Sequence, residues 1–287
     1  PGMPQKYGTL IKPAPNEPPE VHAEFRAAIA AREPFRARRV TQMNRKNKIR
    51  VQCPAREGKI GCPLVNGSVK VAALHYYACH PMSYYADGRV TSDFVGLARK
   101  ARQAEDTACH HVYFTGCAGN IAAGKYNDGT PKARADLAQR MLAGLRASEA
   151  RLEPVAVKTL SWKTAEILPV ARSKPSVAEL MASIANKDLK GAGRNRPAYE
   201  VAWSRRLEKK IPIVVSALSL GGISLLHLPG ESFVEYQLRA QSMASDGRVA
   251  VAAYGDGGPW YIPVKDEYPG GGYEVSVAFS DDSIDGI

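Results

Sequence analysis

Apolar residues in the first half of the chain follow two patterns, one typical of buried strands and one typical of amphipathic helices. Residues 68–77 form an apolar, β-branched run that predicts a core strand. Apolar residues at helical spacing follow at 94–101 and predict a helix that Ser92-Asp93 caps. Residues 111–115 predict a second strand, and Thr130-Pro131 suits the start of a second helix. This order predicts parallel strands with helices packed on them.

The second half of the chain is richer in strand patterns. Residues 155–170 alternate between apolar and polar positions, which predicts an antiparallel strand. Residues 211–228 predict two strands joined by Gly221-Gly222, a pair typical of tight hairpins. Glu231 follows Pro229-Gly230 and is predicted to begin a helix, and a last short strand is expected at 248–254.

These elements predict a simple domain organisation. Residues 1–20 contain six prolines and no periodicity, which predicts an extended arm. Residues 21–287 are predicted to form one α/β domain with a mixed, partly parallel sheet flanked by helices. Within that domain, the basic and glycine-bearing stretch 187–197 is expected to be a mobile loop.

The charge of the chain adds a candidate binding surface. The net charge is +11, and much of it lies in two basic patches at 26–50 and 187–210. Such patches are typical of solvated surfaces and also of proteins that bind anionic polymers or membranes. No aromatic-studded RNA motif or zinc-finger spacing accompanies the charge, so we do not expect a nucleic-acid partner. No apolar run reaches the roughly 18 residues that a membrane-spanning helix requires.

The cysteines leave the redox compartment open. There are five, an odd number, and no CxxC motif occurs. Cys53 and Cys62 flank a loop and could pair in an oxidising compartment. Cys109 and His111 would share one face of a strand, with His110 on the other, and this predicts a core strand in preference to a four-ligand metal site.

Several common active-site motifs are absent or incomplete. No GxSxG or HExxH occurs. Residues 119–125 fit the spacing G-x4-G-K, but Tyr126 stands where a phosphate loop has Ser or Thr, and a turn follows in place of a helix.

Three residues with metal-binding side chains lie where predicted strands end or helices begin. They are His80, Glu231 and Tyr261. Loops at the edge of a sheet bring distant residues together, and nitrogen and oxygen donors suit zinc. The sequence leaves a second interpretation open, in which these are an ordinary loop histidine, a glutamate at a helix start and a packed tyrosine.

Four short motifs occur along the chain in a definite order. They are YACHPMS at 77–83, FTGCAGN at 114–120, LPGES at 228–232 and YIPVKDEYPGGGYE at 261–274. Together they resemble segments of the neutral/alkaline non-lysosomal ceramidases, a family of zinc-dependent amide hydrolases. The resemblance runs from about residue 40 to residue 275 and implies a fold similar to the N-terminal domain of that family. It also implies that Zn²⁺ is bound by His80, Glu231 and Tyr261.

The resemblance further implies two catalytic residues. Tyr273, twelve residues after Tyr261, would contact the scissile amide, and Asn120 in the glycine turn would help to stabilise the oxyanion. The chain departs from the family at Ala122, where the ceramidases have a serine.

A second departure is that no His-x-His segment supplies a further zinc ligand. We expect that segment to precede Pro1, which would leave the domain incomplete on its N-terminal side, or its role to fall to His22, His75 or His227.

The predicted function is therefore zinc-dependent hydrolysis of an amide bond in a small or lipid-like N-acyl substrate, by metal-activated water. The resemblance implies a place in lipid or sphingolipid metabolism and a secreted or periplasmic location, although no signal peptide is recognisable in the sequence. The alternative is a non-catalytic relative that binds an anionic polymer or membrane surface through the basic patches. The oligomeric state is not indicated by any pattern.

Overall fold

The computed structural model describes residues 61–66, 69–84, 88–150, 157–244, 248–255 and 258–287. The expected arm at 1–20, the basic patch at 26–50, His22 and Cys53 lie outside the described residues, as does the side chain of Cys62. The described residues fall into two compact units. The first lies within Pro1–Phe114 and Ile121–Pro154, and the second within Thr115–Asn120 and Val155–Ile287. The expectation of one domain over 21–287 stays a prediction.

The first unit is built on a three-stranded sheet. Its strands are β1 (Gly61–Asn66), β2 (Val69–Tyr77) and β3 (His110–Thr115), in the order β1-β2-β3. Strand β1 is antiparallel to β2. Helices α1 (Asp93–Glu105) and α2 (Pro131–Glu149) pack on one another.

The two helices of this unit begin differently. Thr130 caps α2 as predicted, because its side chain accepts a hydrogen bond from Ala133 N at 3.1 Å and Pro131 follows it. Ser92 makes no such bond at the start of α1. There, the buried carboxylate of Asp93 accepts from Phe94 N at 2.6 Å and from Ser83 N at 2.8 Å, which ties the helix start to the preceding loop.

The second unit contains the mixed sheet. Its strands in chain order are β4 (Leu160–Ile167), β5 (Ile213–Leu220), β6 (Ile223–Pro229), β7 (Glu231–Ser232), β8 (Val249–Gly255) and β9 (Tyr261–Ile262). Four of them form a sheet in the order β4-β5-β6-β8, and β7 pairs with β9. Neighbours β4, β5 and β6 are antiparallel, whereas β6 and β8 are parallel.

The helices of this unit are α3 (Val177–Ala185), α4 (Ala192–Glu208), α5 (Val234–Met243) and α6 (Tyr273–Val277). Single 3-10 turns occur at Gly124–Tyr126 in the first unit and at Lys265–Glu267 and Asp282–Gly286 in the second. The predicted fold class, α/β with a mixed and partly parallel sheet flanked by helices, is confirmed. The predicted hairpin is confirmed too, with φ of 54° at Gly221 and 94° at Gly222.

Two local predictions in this unit are wrong. Glu231 does not begin a helix but lies in strand β7, because its backbone pairs with the distant β9, and the helix begins at Val234. The stretch 187–197 is not all loop, because α4 begins at Ala192 and continues through Pro197. Pro197 lies in the second turn of this helix, where it has no N–H to donate to the carbonyl four residues earlier.

Candidate functional site

Glu231 and Tyr261 face one another across the short parallel pair β7–β9. The register pairs the two residues directly, and Glu231 N donates to Trp260 O at 2.7 Å. Gly230 makes this approach possible. Its φ is +52°, and a Cβ there would lie 2.6 Å from Trp260 O, which is closer than real Cβ atoms approach. The Pro229-Gly230 step at the end of β6 therefore turns the chain so that Glu231 reaches Tyr261.

The two side chains interact electrostatically. The Tyr261 hydroxyl hydrogen-bonds the Glu231 side chain. Burial, followed by the negative charge of Glu231, raises the pKa of Tyr261 far above its ordinary value. The phenol of Tyr261 donates its proton to the carboxylate of Glu231. Together the two groups form a pair of oxygen donors, and a divalent cation that binds both as anions must displace that proton. The donor set therefore suits a metal that accepts oxygen ligands.

The glycine turn at 114–120 packs against the same strand. Gly119 N donates to Ser232 O at 3.0 Å, and a Cβ on Gly119 would lie 2.2 Å from Glu231 O. The side chain of Asn120 forms two hydrogen bonds with the first turn of α5. Its Oδ1 accepts from Val234 N at 3.0 Å, and its Nδ2 donates to Glu235 Oε2 at 2.9 Å. The turn thus fixes the backbone of Glu231. The catalytic role expected for Asn120 stays a prediction.

Two further tyrosines of the last motif have different surroundings. The ring of Tyr273 meets that of Tyr261 edge to face, with centroids 5.9 Å apart and planes at 76°. The Tyr273 hydroxyl has no hydrogen-bond partner among the described residues. Tyr268, in contrast, donates its hydroxyl to Ser280 O at 3.2 Å and to Asp281 O at 3.1 Å, which anchors the loop. Tyr273 is therefore the tyrosine beside Tyr261 with an uncommitted donor.

His80 lies in the first unit, directly after the end of β2. Its Nδ1 lies 3.0 Å from Ile121 O, and its backbone N donates to the same oxygen at 2.9 Å. A carbonyl oxygen only accepts, so Nδ1 carries the proton and Nε2 carries the lone pair of the neutral ring. This backbone tether is typical of a metal-binding histidine. The convergence of His80 with Glu231 and Tyr261 stays a prediction.

The other histidines considered for the missing ligand have different neighbours. His227 lies on β6, with Nδ1 3.4 Å from Ser216 Oγ and its ring 6.1 Å from that of Trp162. His75 belongs to a buried cluster in the first unit, and that cluster contains a second group of candidate metal ligands.

That cluster is centred on a hydrogen-bonded histidine pair. His75 Nε2 lies 2.9 Å from His111 Nδ1, and the two ring planes are within 9° of each other. The two residues are 0% and 3% exposed, and donor atoms of His75, His111 and Glu149 lie within 4.8 Å of one another. Asp106, Cys109 and His111 form an overlapping group. The distances are thus compatible with a metal ion.

Burial keeps the two imidazoles neutral. It lowers the pKa of His75 from 6.5 to about 4 and lowers that of His111 as well. Neutral imidazoles are the form that binds metals. His75 Nδ1 and His111 Nε2 are buried without a hydrogen-bond partner.

The charges around the pair oppose a cation. Glu149 accepts from Arg102 Nη2 at 2.9 Å and from Lys70 Nζ at 2.6 Å, and these two cations lower its pKa although burial alone would raise it. Asp106 also bonds Lys70 and Arg102. A divalent ion would be repelled by both basic residues. In the sequence, only the placement of Cys109 and His111 on one face of a strand pointed to this cluster. No sequence pattern around Glu149 indicated that it belongs there.

Comparison with known proteins identifies the fold. No protein-family model and no curated protein sequence matches the chain. The neutral ceramidase from Pseudomonas aeruginosa matches in structure with a TM-score of 0.54 and 16% identity, over 75% of this chain and 42% of that chain. A ceramidase complexed with C2 matches with a TM-score of 0.55 and 15% identity, over 75% and 43%.

The chain therefore has a ceramidase-like fold and spans about two fifths of the length of these ceramidases. Among the described segments, no helix combines the length and the apolar character needed to cross a membrane.

Proposed function

We propose that this protein is a zinc-dependent hydrolase that cleaves the amide bond of an N-acyl substrate. The observation that carries the proposal is the Glu231–Tyr261 pair, in which a carboxylate and a buried phenol share a hydrogen bond on paired strands. The ceramidase-like fold supports the reaction class, since the matching structures are ceramidases. The proposed zinc ligands are His80, Glu231 and Tyr261.

The properties of each proposed ligand suit that role. The Nδ1 tether of His80 to Ile121 O favours the tautomer in which Nε2 is the ligand atom. Burial and the charge of Glu231 raise the pKa of Tyr261, so a metal ion acting as a Lewis acid would have to drive the release of its proton on binding. When bound, zinc polarises the amide carbonyl and lowers the pKa of a water molecule.

Two other residues are proposed to act on the substrate. The ring of Tyr273 packs against that of Tyr261, and its hydroxyl would donate to the oxygen of the scissile amide as negative charge develops on it. Asn120 has a second amide hydrogen besides the one given to Glu235, and this hydrogen is the proposed second donor. Both donors would act mainly on turnover, because the oxyanion exists only during the reaction.

Hydrolysis and metal content should be measured on one preparation of the protein. We expect stoichiometric zinc, cleavage of an N-acyl amide, loss of both on treatment with a chelator, and recovery of both when zinc is returned. His80→Ala and Glu231→Gln should lose zinc, whereas His75→Gln should retain it. Amide cleavage that persists unchanged in the zinc-depleted protein would contradict the proposal.

The second candidate function is non-catalytic binding to an anionic polymer or membrane. It is favoured by the exposed basic residues at and after the end of α3, which include Lys187, Lys190 and Arg194. Sedimentation with anionic vesicles, together with an absence of bound zinc in the full chain, would favour this function over the hydrolase.

The hydrolase proposal also includes a lipid-like substrate and a secreted or periplasmic location. Cell fractionation tests the location.

A further inference from the structure

The guanidinium group of Arg196 contacts the ring of Tyr273, which in turn contacts the proposed metal ligand Tyr261. Arg196, on α4, places its Cζ 5.3 Å from the ring centroid of Trp260 and 5.9 Å from that of Tyr273. Tyr273 in turn packs against Tyr261. Both contacts fall within the range of cation–π attraction, which holds the guanidinium beside the aromatic group.

The charge of Arg196 has no protein counter-ion among the described residues. Its Nε is buried and has no hydrogen-bond partner, and no described carboxylate forms a salt bridge with the group. Glu200, one turn further along α4, is already bound by Arg172, with Nη2 to Oε2 at 2.7 Å. A half-buried cation without an anion is unfavourable, so an arriving anion would be stabilised there.

The cation–π contacts of Arg196 do not themselves use its hydrogen-bond donors. A guanidinium packs on aromatic rings through its faces, whereas its five N–H groups point outward in its plane. Two of these groups match the two oxygens of a carboxylate and bind it in a bidentate manner. Contact with Trp260 and Tyr273 therefore orients the group. Its Nε is buried, so the Nη groups are the donors proposed to bind a ligand.

We propose that Arg196 binds an anionic group of the substrate, so that the substrate class is an N-acyl amide with a carboxylate close to the scissile bond, such as an N-acyl amino acid. This inference rests on the proposed function, because it assigns the substrate of the same site. Arg196 is a specificity-determining residue in this proposal, since its contact is with a part of the substrate that does not react.

Binding to chelator-treated full-length protein tests the proposal independently of hydrolysis. Three probes with the same acyl chain differ only in the end group: N-lauroylglycine is a carboxylate, N-lauroylglycinamide is its neutral counterpart, and N-lauroylaminomethylphosphonate is a phosphate analogue. Titration calorimetry should show about 10- to 100-fold tighter binding of N-lauroylglycine than of the glycinamide, as expected for a charged hydrogen-bonded pair. Removing the metal excludes direct ligation of the carboxylate by zinc.

Variants of Arg196 decide which residue causes the preference. Arg196→Gln should bring the ratio of the two affinities close to one, and Arg196→Lys should leave an intermediate ratio because a lysine keeps the charge but loses the bidentate fork. Arg205→Gln, at an exposed position on the same helix, is the matched control and should keep the ratio of the parent. Unfolding midpoints of all variants identify any that fail to fold.

The possible outcomes are distinct. Equal binding of the acid and the glycinamide by the parent protein, or a preference that survives in both Arg196 variants, would overturn the inference. Tighter binding of the phosphonate than of the carboxylate would overturn the carboxylate assignment. An Arg196-dependent preference for the carboxylate without any amide cleavage in the zinc-loaded protein would support Arg196 as the anion site and refute the amidase instead.

Discussion

A single methyl group at Gly119 is expected to displace the backbone of Glu231. The Cβ of Gly119→Ala would lie 2.2 Å from Glu231 O and 2.8 Å from Cδ1 of Phe233, which is 1% exposed. Real Cβ atoms essentially never come closer than 3.0 Å, so the Glu231 carbonyl would have to retreat by at least 0.8 Å. The Gly119 N to Ser232 O hydrogen bond connects the same two segments and would be strained as well.

This displacement is large on the scale of metal coordination. Ligand distances in zinc sites hold to within about 0.2 Å, so a shift of the Glu231 backbone must disturb its carboxylate. We expect Gly119→Ala to weaken zinc binding by about 10- to 100-fold, the usual effect of a change just outside the ligands. Overpacking against a buried phenylalanine should also lower the free energy of unfolding by about 1–3 kcal/mol.

The assay is competitive zinc titration with a chromophoric chelator, together with urea unfolding of the same samples. Gly286→Ala is the matched control, because its Cβ would have no heavy atom within 4 Å. The control should keep the zinc affinity and unfolding midpoint of the parent. If Gly119→Ala also kept both, the close packing of the glycine turn on Glu231 would be refuted.

Other expected outcomes concern single side chains and pH. Tyr273→Phe should lower turnover of an N-acyl amide by about 10²- to 10³-fold at unchanged zinc content. Tyr261→Phe should instead lower zinc affinity. If Tyr273→Phe turned over the amide at the rate of the parent protein, Tyr273 would have no role in the mechanism. His75 has a folded pKa of about 4 and an ordinary pKa of 6.5, so the unfolded chain takes up the proton first as pH falls. Above pH 6.5 the lowered pKa of His75 adds about 3 kcal/mol to the free energy of unfolding, and this contribution is lost as the pH falls towards 4. The urea midpoint of unfolding should therefore decrease as the pH is lowered from 7 to 5. This decrease should be smaller in His75→Gln. An equal decrease in both proteins would contradict burial of a neutral His75.

The elements that were predicted correctly depend on neighbours in the sequence. The Thr130-Pro131 helix start and the Gly221-Gly222 hairpin are both determined by the conformational preferences of two adjacent residues. The start at Ala192 of α4 was missed because glycine and basic residues in 187–197 resemble a loop locally. Burial of Val201 and Trp203 further along the helix is a tertiary effect that overrides this local preference.

The features that the sequence did not predict involve pairs of residues far apart in the chain. Glu231 was assigned to a helix because only its local context was visible, whereas its partner in β9 is thirty positions away. The ion pairs of Glu149 with Lys70 and Arg102 likewise join segments far apart in the chain. The resemblance named Glu231 and Tyr261, and their direct pairing became visible only in the fold.

The position of the bound zinc ion is the most direct test of the proposed function. We would collect anomalous diffraction at the zinc absorption edge from crystals of the zinc-loaded protein. We expect one strong peak at about 2.0–2.2 Å from His80 Nε2, a Glu231 carboxylate oxygen and the Tyr261 phenolic oxygen. A peak between His75 and His111, or no peak in crystals that still cleave an N-acyl amide, would contradict it.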